Sequence, residues 1–538
     1  MWPQPYLLWG QGLAVSAAIA AIPILLLFYL LGIQRRPAWQ AGLWGLGATI
    51  LLATTGYGLS LRHTLSSALY GAAFGVFPIT WIIFWAIALY RISVETGKFE
   101  IIKESVGAIT SDMRLQILLI AFAFGAFLEG GAGFGTPVAV AAAMMTGFGF
   151  SPLYASGICL LANTVPVAFG AIGIPVITLA GITGLPLRQL SADVGRLCAP
   201  VSFFVPTYLI AVTAGRSALL EIWPALLVCG GVFAGVQFFV SNYIGAQLTD
   251  ILSSLCCIAA LIALLRFWRP KTVRSAQLSG ELVNGLSRTT SEVMLAWSPY
   301  LLLVLFVLIW GYHPVQQWLN SATATIHWPG LHNEIQRMPP VVVKPASYGA
   351  VYSLNWLSAA GTSCMFAVLL SAMILRMQPR ALAALLLSVA KQLTIPTVTV
   401  TAVLAMAFVM NYCGATGTLG LAFATTGTLF PFFSAFIGWL GVFLTGSDTS
   451  ANALFGNLQV VTAERLGLGP TLLAAANSAG GVMGKMISLQ TITVAAAATG
   501  LSISEQAKLF RFTLRHSLIL TAIIGMEALV YAYVFRWR

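Results

Sequence analysis

Charge is what this sequence has least of. Only 8% of its 538 residues are Asp, Glu, Lys or Arg, and just 15 residues are acidic. A soluble globular chain carries about 25% charged residues. The shortfall excludes a secreted, nuclear or cytosolic enzyme, because a chain that is 59% apolar cannot hide so much apolar surface in water. Histidine is also scarce. None of the five histidines lies squarely within an apolar run: His63 and His516 sit at run edges, and His313, His327 and His332 sit in one polar link. A histidine proton relay through the membrane is therefore disfavoured. The seven cysteines fall in or beside apolar stretches without metal-ligand spacing, which reads as packing. HExxH, GxSxG and paired histidines at metal spacing are missing from the apolar segments, which argues against a membrane-embedded enzyme. The first ten residues lack a basic n-region, so the first apolar run is expected to stay as a membrane helix.

What is present is apolar sequence in long runs. A spanning helix needs about 20 mostly apolar residues. Fourteen candidates lie near 11–33, 38–58, 68–92, 115–145, 152–180, 195–214, 222–244, 251–267, 293–311, 355–376, 392–412, 417–445, 470–500 and 514–535. The chain therefore reads as an all-α polytopic membrane protein with about 12–14 transmembrane segments. Segments 115–145, 152–180, 417–445 and 470–500 are longer than needed and carry Gly, Pro, Asn or charge. These are expected to be broken or re-entrant helices, since irregular backbone survives at membrane depth only where protein or a cavity satisfies it.

The net charge of +12 resides in links rather than in a nucleic-acid-binding face. Arg35 and Arg36 form one cluster, Arg266, Arg269, Lys271, Arg274 and Arg288 another, and Arg376 and Arg380 a third. Because Lys and Arg mark cytoplasmic loops, links 34–37, 93–114, 266–292 and 376–391 are expected inside. The N-terminus and the proline-rich 312–354 loop are then outside.

Two halves of the chain echo each other. Gly125-Ala-Phe-Leu-Glu129-Gly130 matches Gly441-Val-Phe-Leu-Thr445-Gly446, and Ala162-Asn163-Thr164 matches Ala476-Asn477-Ser478. Gly147-Phe-Gly-Phe-Ser-Pro152 stands against Gly467-Leu-Gly-Pro470, and Gly170 against Gly484. Secondary transporters often use two such repeats, with the substrate held at their interface by discontinuous helices. Small residues can instead serve close helix packing alone, but this accounts less well for the matched Asn with Thr or Ser. The pattern divides the chain into N-terminal helices and a surface link (1–114), a first repeat core (115–245), linking helices (246–390), and a second repeat core with a C-terminal helix (391–538).

Four charges stand inside or against apolar runs: Glu129, Asp448, Lys485 and Glu527. An ionised side chain at the bilayer centre costs about 2.5–3.5 kcal/mol on insertion scales, so such groups are usually paired or functional. Glu129, at the break of the first repeat, suits a proton carrier. Asp448 follows the equivalent break and could act with it. Lys485 is a counter-ion either to these carboxylates or to an anionic substrate. Glu527 reads as a helix–helix hydrogen-bonding residue, and Asn411 as a helix cap in preference to a substrate contact.

At these residues the chain resembles the lactate permease family. The likeness runs through FGAFLEGGAGFGTPVAV (124–140), PLYASGICLLANTVPVAFGAIGIP (152–175), RMPPVV (337–342), FVMNYCG (408–414), GWLGVFLTGSDTSANALFGNLQ (438–459), AANSAGGVMGKMIS (475–488) and LFRFTLRHSLI (509–519). The resemblance implies a multi-pass carrier of the bacterial inner membrane that imports lactate and glycolate by proton symport. It also implies kinship with elevator-type transporters, in which Asn-Thr pairs mark re-entrant tips. Asn163, Thr164, Asn477, Ser478 and Lys485 are then the expected substrate ligands, with Glu129 and Asp448 for proton coupling. No cofactor, metal or nucleic acid is implied. Lactate or a related 2-hydroxy acid, a proton and the lipid bilayer are the expected partners, with a homodimer left open. Sodium coupling is the competing reading, because unwound carbonyls and Asn or Thr oxygens also suit Na⁺. One departure stands beside Lys485: Leu489 occupies a position where the family pattern has proline, so the helix there could run on unbroken.

Overall fold

The computed structural model describes residues 1–133, 135–274 and 289–535; Phe134 and Arg288 lie outside the described residues. Among those described, nine helices are long and apolar enough to cross a membrane. Three bent pairs bring the total to twelve if each counts as one span: Leu13–Ala20 with Ile22–Ile33, Pro152–Ala162 with Val167–Thr183, and Pro470–Ile487 with Leu489–Thr499. The helical, multi-span class therefore holds, at the low end of the expected number. The difference arises where glycine and polar residues divide an apolar run. The run at 115–145 becomes Met113–Gly131 and the 12-residue helix Thr136–Gly147. Twelve residues at about 1.5 Å each reach about 18 Å, well short of the roughly 30 Å hydrocarbon core. The turn between these two helices consequently lies at membrane depth. The run at 417–445 divides in the same way, into Ala415–Ala424 and Gly427–Thr445.

Contacts between links fix which ends share a side. The 93–114 and 266–292 links meet in one ionic cluster around Arg114, which is almost fully buried. Its guanidinium donates to both carboxylate oxygens of Asp112 (3.0 and 2.8 Å), to Glu221 Oε2 (2.5 Å) and to the Thr272 carbonyl (2.7 Å). Arg274 adds a backbone N–H bond to Asp112 and a side-chain bond to Glu221. Phe148, at the turn after Thr136–Gly147, packs against Gly107 of the 98–107 surface helix. The chain from Met113 thus rises to the 132–135 break, returns to the same face by residue 148, and rises again from Pro152.

The opposite face carries a small folded cap rather than an open loop. Within 312–354, Ala324–His327 pairs antiparallel with Val351–Leu354, and Ile335–Arg337 pairs antiparallel with Ala346–Tyr348. Trp2–Pro3 joins Ile335–Arg337 as a parallel neighbour, with Trp2 opposite Ile335, which places the N-terminus and this segment on one side as expected. His63 Nε2 to Glu334 (2.8 Å) and the Trp328 indole N–H to the Ser66 carbonyl (3.0 Å) tie the cap to Leu61–Glu95. Gln4 donates from its side-chain amide to the Asn411 and Tyr412 carbonyls, closing the C-terminus of Pro379–Cys413. Asn411 is therefore not the cap; its side-chain oxygen accepts from Asn457 at 3.1 Å.

The Thr272 hydroxyl, followed by the Arg114 guanidinium, holds the Glu221 carboxyl down at about 2. Burial opposes ionisation of Asp112, but the bonds from Arg114 outweigh it and keep that carboxyl below its ordinary range. A carboxylate whose folded value is depressed contributes stability above its unfolded value near 4.5 and loses it as pH falls toward the folded value. Thermal unfolding in detergent should accordingly be insensitive to this cluster between about pH 5 and 8 and fall progressively below about pH 4.5. Glu221→Gln should lower the pH 7 melting temperature and flatten the acid limb. An unchanged acid limb would count against the cluster as a pH-dependent clamp.

Candidate functional site

Each break is encoded locally. After Gly131 the chain turns through Gly133 (φ +59°) and Gly135 (φ +84°), left-handed conformations that glycine adopts at little cost. Pro137 then starts the next helix within its first turn, where a missing N–H does no harm. In the second segment, Pro152–Ala162 and Val167–Thr183 meet at 66° across Asn163–Pro166. The residues that follow are strained: Ala171 (φ +46°) and Ile172 (φ +62°) are left-handed without being glycine. Such conformations cost of order 1–3 kcal/mol each, persist where packing over-determines them and cluster at functional sites. Gly173 completes the turn, and a Cβ there would lie 2.8 Å from the backbone of Ala246.

The breaks of the two halves meet at Glu129. This carboxylate is 2% exposed. Its Oε2 accepts from the Asn163 amide at 3.0 Å, and its Oε1 accepts from the Lys485 ammonium at 2.6 Å. A Cβ on Gly170 would lie 2.7 Å from Oε1, so the small residue there makes room for the carboxylate. One ion pair thus joins the 113–131 helix, the 162–167 break and the 485–488 break.

A second polar cluster lies around Asp448, at the start of Asp448–Leu466. Its Oδ2 accepts from the Ser478 hydroxyl (2.7 Å) and from the Asn452 amide (3.3 Å). The Asn452 amide also reaches the Pro175 carbonyl at 3.2 Å, a second link between the halves. Asn477 donates to Asn452 Oδ1 (3.0 Å) and accepts from Gln459 (3.1 Å). Asp448 Oδ1 has no hydrogen-bond partner among the described residues. Close helix approach makes this network compact: a Cβ on Gly438 would sit 1.8 Å from the Asn477 carbonyl oxygen.

Asn163 and Asn477 therefore belong to two adjoining clusters. Asn163 is tied through Glu129 to Lys485, which lies eight residues beyond Asn477, or about 12 Å at helical rise. Thr164 is buried, and its hydroxyl donates back to the Leu161 carbonyl at 2.8 Å. Lys485 meets Glu129, not Asp448, as its ion-pair partner. Leu489 does not let the helix run on. Ser488 caps the next helix by accepting from the Thr491 N–H (3.2 Å), and the segment bends by 42°. The cap supplies the break that a proline would otherwise enforce. Glu527 is half-buried on the C-terminal helix, and its Oε2 has no hydrogen-bond partner among the described residues.

Three further polar residues at or beside the breaks are not singled out by sequence reasoning. Asn452 and Gln459 lie within the quoted 438–459 motif, and their spacing of seven residues puts both on one helix face, a signal that could have found them. Asp250 is 1% exposed and packs its Cβ against Gly130, the residue after Glu129. It stands one position before an apolar run and so looks like a link residue in the sequence.

The family model described as L-lactate permease matches residues 16–535. The L-lactate permease of Salmonella typhimurium is 43% identical over 548 residues, covering 100% of this chain and 99% of the relative. That of Bacillus subtilis is 44% identical over 566 residues, with the same coverage. Glycolate permease GlcA of Escherichia coli is 44% identical over 553 residues, covering 99% and 98%. Among solved structures, the Alcanivorax borkumensis YdaH transporter aligns over 85% of each chain at 13% identity with a TM-score of 0.44. With a family match over nearly its whole length and such relatives covered end to end, the chain belongs to the L-lactate permease family.

Proposed function

We propose that this protein imports lactate, and glycolate or similar 2-hydroxymonocarboxylates, together with a proton. It is a multi-pass transporter of the bacterial inner membrane, not an enzyme. Relatives named for lactate and for glycolate support the substrate class. The observation that carries the coupling is the buried Lys485–Glu129 pair at the meeting of the broken helices.

Charge balance ties substrate to proton. Lys485 and Glu129 sum to zero. A monoanionic acid that takes the ammonium leaves Glu129 bare at membrane depth, where an unpaired charge is expensive. One proton on Glu129 restores neutrality. Substrate and proton therefore enter as a unit, and the electroneutral pair crosses without opposing the roughly 2.3 kcal/mol per charge that each 100 mV imposes. The two clusters together supply hydrogen bonds: Asn163 and the Thr164 backbone from the first and Asn477 and Ser478 from the second suit the substrate carboxylate and 2-hydroxyl, and Asp448 is a second proton acceptor. No observation favours the sodium-coupled alternative.

The path of the chain supports a reading of 113–183 and 427–499 as inverted repeats. The first run ascends to its 132–135 break from the face that carries Arg114. In the second run Val461 packs with Tyr6 and Val341 on the cap face, and Ser434 bonds Gln459, so 448–466 ends at that face and 427–445 descends from it toward its own break. Two opposed breaks around one site suit alternating access, with the repeat cores moving as an elevator against the remaining helices.

In proteoliposomes with the interior alkaline, labelled lactate should accumulate above its equilibrium level, and an uncoupler should abolish this. Glu129→Gln should reduce pH-driven uptake by at least about tenfold, as expected on losing a positioned proton-transfer group. Full pH-driven uptake by this variant would refute the proton role. Competition should rank glycolate near lactate and propionate, which lacks the hydroxyl, at least about tenfold weaker, since a site built to bond a hydroxyl rejects the analogue without it. Equal competition by propionate would remove the 2-hydroxyl from the recognition scheme.

A further inference from the structure

Asp250 is the one carboxylate among the described residues with both oxygens buried and neither hydrogen-bonded. Its place is not incidental. Residues 223–244 and 249–267 form a hairpin whose ends lie at the ionic cluster, where Glu221 bonds Thr272. From Phe267 back to Asp250 is seventeen residues, about 25 Å of helix; from Arg114 to Glu129 is fifteen, about 22 Å. Both acids therefore sit at similar depth above one charged face. Their backbones also touch: a Cβ on Gly130 would lie 2.8 Å from the Asp250 Cβ and 3.1 Å from the Ile251 nitrogen. Only a glycine beside Glu129 allows the hairpin tip to come so close. The turn of that hairpin meets the strained 171–173 segment, through Ala246 against Gly173.

A first-turn acid can simply serve its own helix, because the dipole modestly favours a carboxylate there. That role is strongest where free N–H groups bond the carboxylate, and Asp250 accepts none. The modest pull of the dipole does not offset the cost of taking a bare carboxylate out of water. The charged groups it faces are few. Of the elements packed on 249–267, the 125–131 helix offers Glu129, 223–239 offers Cys229, 240–244 offers Tyr243, and 117–124 and 170–183 offer no titratable group. Cys256, Cys257 and Arg266 lie on its own helix, and the charge of Lys485 reaches it from behind Glu129.

We propose that Asp250 is the relay that loads the coupling proton onto Glu129. While Lys485 holds Glu129, Asp250 stays neutral as the carboxylic acid. When substrate draws Lys485 away, the Asp250 O–H bond breaks as an O–H bond forms on Glu129, and Asp250 is recharged from the medium. One proton enters per monoanion, and no uncompensated charge persists in the site. The relay rests on the proton-coupled reading above and adds the residue that delivers the proton.

The test uses the full-length protein in proteoliposomes. It compares wild type with Asp250→Asn for pH-driven accumulation of labelled lactate, lactate-dependent proton entry seen by an internal pH dye, and lactate–lactate exchange, which needs no net proton movement. The relay predicts that D250N loses accumulation and proton entry by at least about tenfold, while exchange declines far less. Accumulation and proton entry at wild-type levels in D250N would overturn the relay and leave the coupled reading standing. Equal loss of exchange and accumulation in folded protein would also overturn it, because that is a structural defect. Wild type that moves lactate with no proton entry would refute the coupled reading itself. Should D250N fail to fold, labelling of wild type with a hydrophobic carbodiimide decides, since the reagent adds to a buried carboxylic acid to give an N-acylurea. Modification of Asp250 that lactate alters supports the relay, and an unmodified Asp250 excludes it.

Discussion

A single ion pair, Lys485 with Glu129 at 2.6 Å, ties the two halves of this protein together at membrane depth. Burying two charges is costly unless geometry and additional hydrogen bonds compensate, and the surroundings are arranged to that end. Asn163 satisfies the second oxygen of Glu129, Gly170 clears the space beside the first, and the break at 485–488 brings the ammonium to the carboxylate. Such a pair need not add much net stability. Its consequence is that anything displacing one partner must supply a compensating charge, which is the requirement a coupled transporter has to meet.

The breaks that deliver these groups arise by different physical means. Glycines with positive φ turn the chain at 132–135, and Asn163 to Pro166 interrupts the second segment. Ala171 and Ile172 are held in strained conformations, and Ser488 caps a helix where no proline intervenes. The strained pair is buried, with Ala171 against Gly133 and the following Gly173 against Ala246 of the hairpin tip, so the cost of the conformation is met by packing. Away from the site the fold is secured at its two faces. The Arg114 cluster gathers three links on one side, and the small sheets of 324–354, joined by the N-terminus, cover the other. The site lies between these fixed ends.

Much of this was legible in the sequence because membrane burial constrains composition strongly. Apolar runs, misplaced charges and the echoed Asn motifs pointed to broken helices and to Glu129, Asp448 and Lys485. Periodicity could not give pairing. Whether Lys485 would meet Glu129 or Asp448 depends on how two segments more than three hundred residues apart cross, and composition carries no record of that. Asp250 was hidden for a related reason: at the head of an apolar run it resembles any acid in a link, and only the hairpin's contact with Gly130 shows it to be buried. Leu489 leaves the break in place because a cap can do what a proline does, and Ser488 caps the following helix through the Thr491 N–H.

In the proposed cycle, substrate replaces Glu129 as the partner of Lys485. An experimental structure of the protein with lactate bound tests this most directly. The lactate carboxylate should lie within hydrogen-bond distance of the Lys485 Nζ, with Glu129 released from it. Lactate bound elsewhere, with the Lys485–Glu129 contact intact, would contradict it.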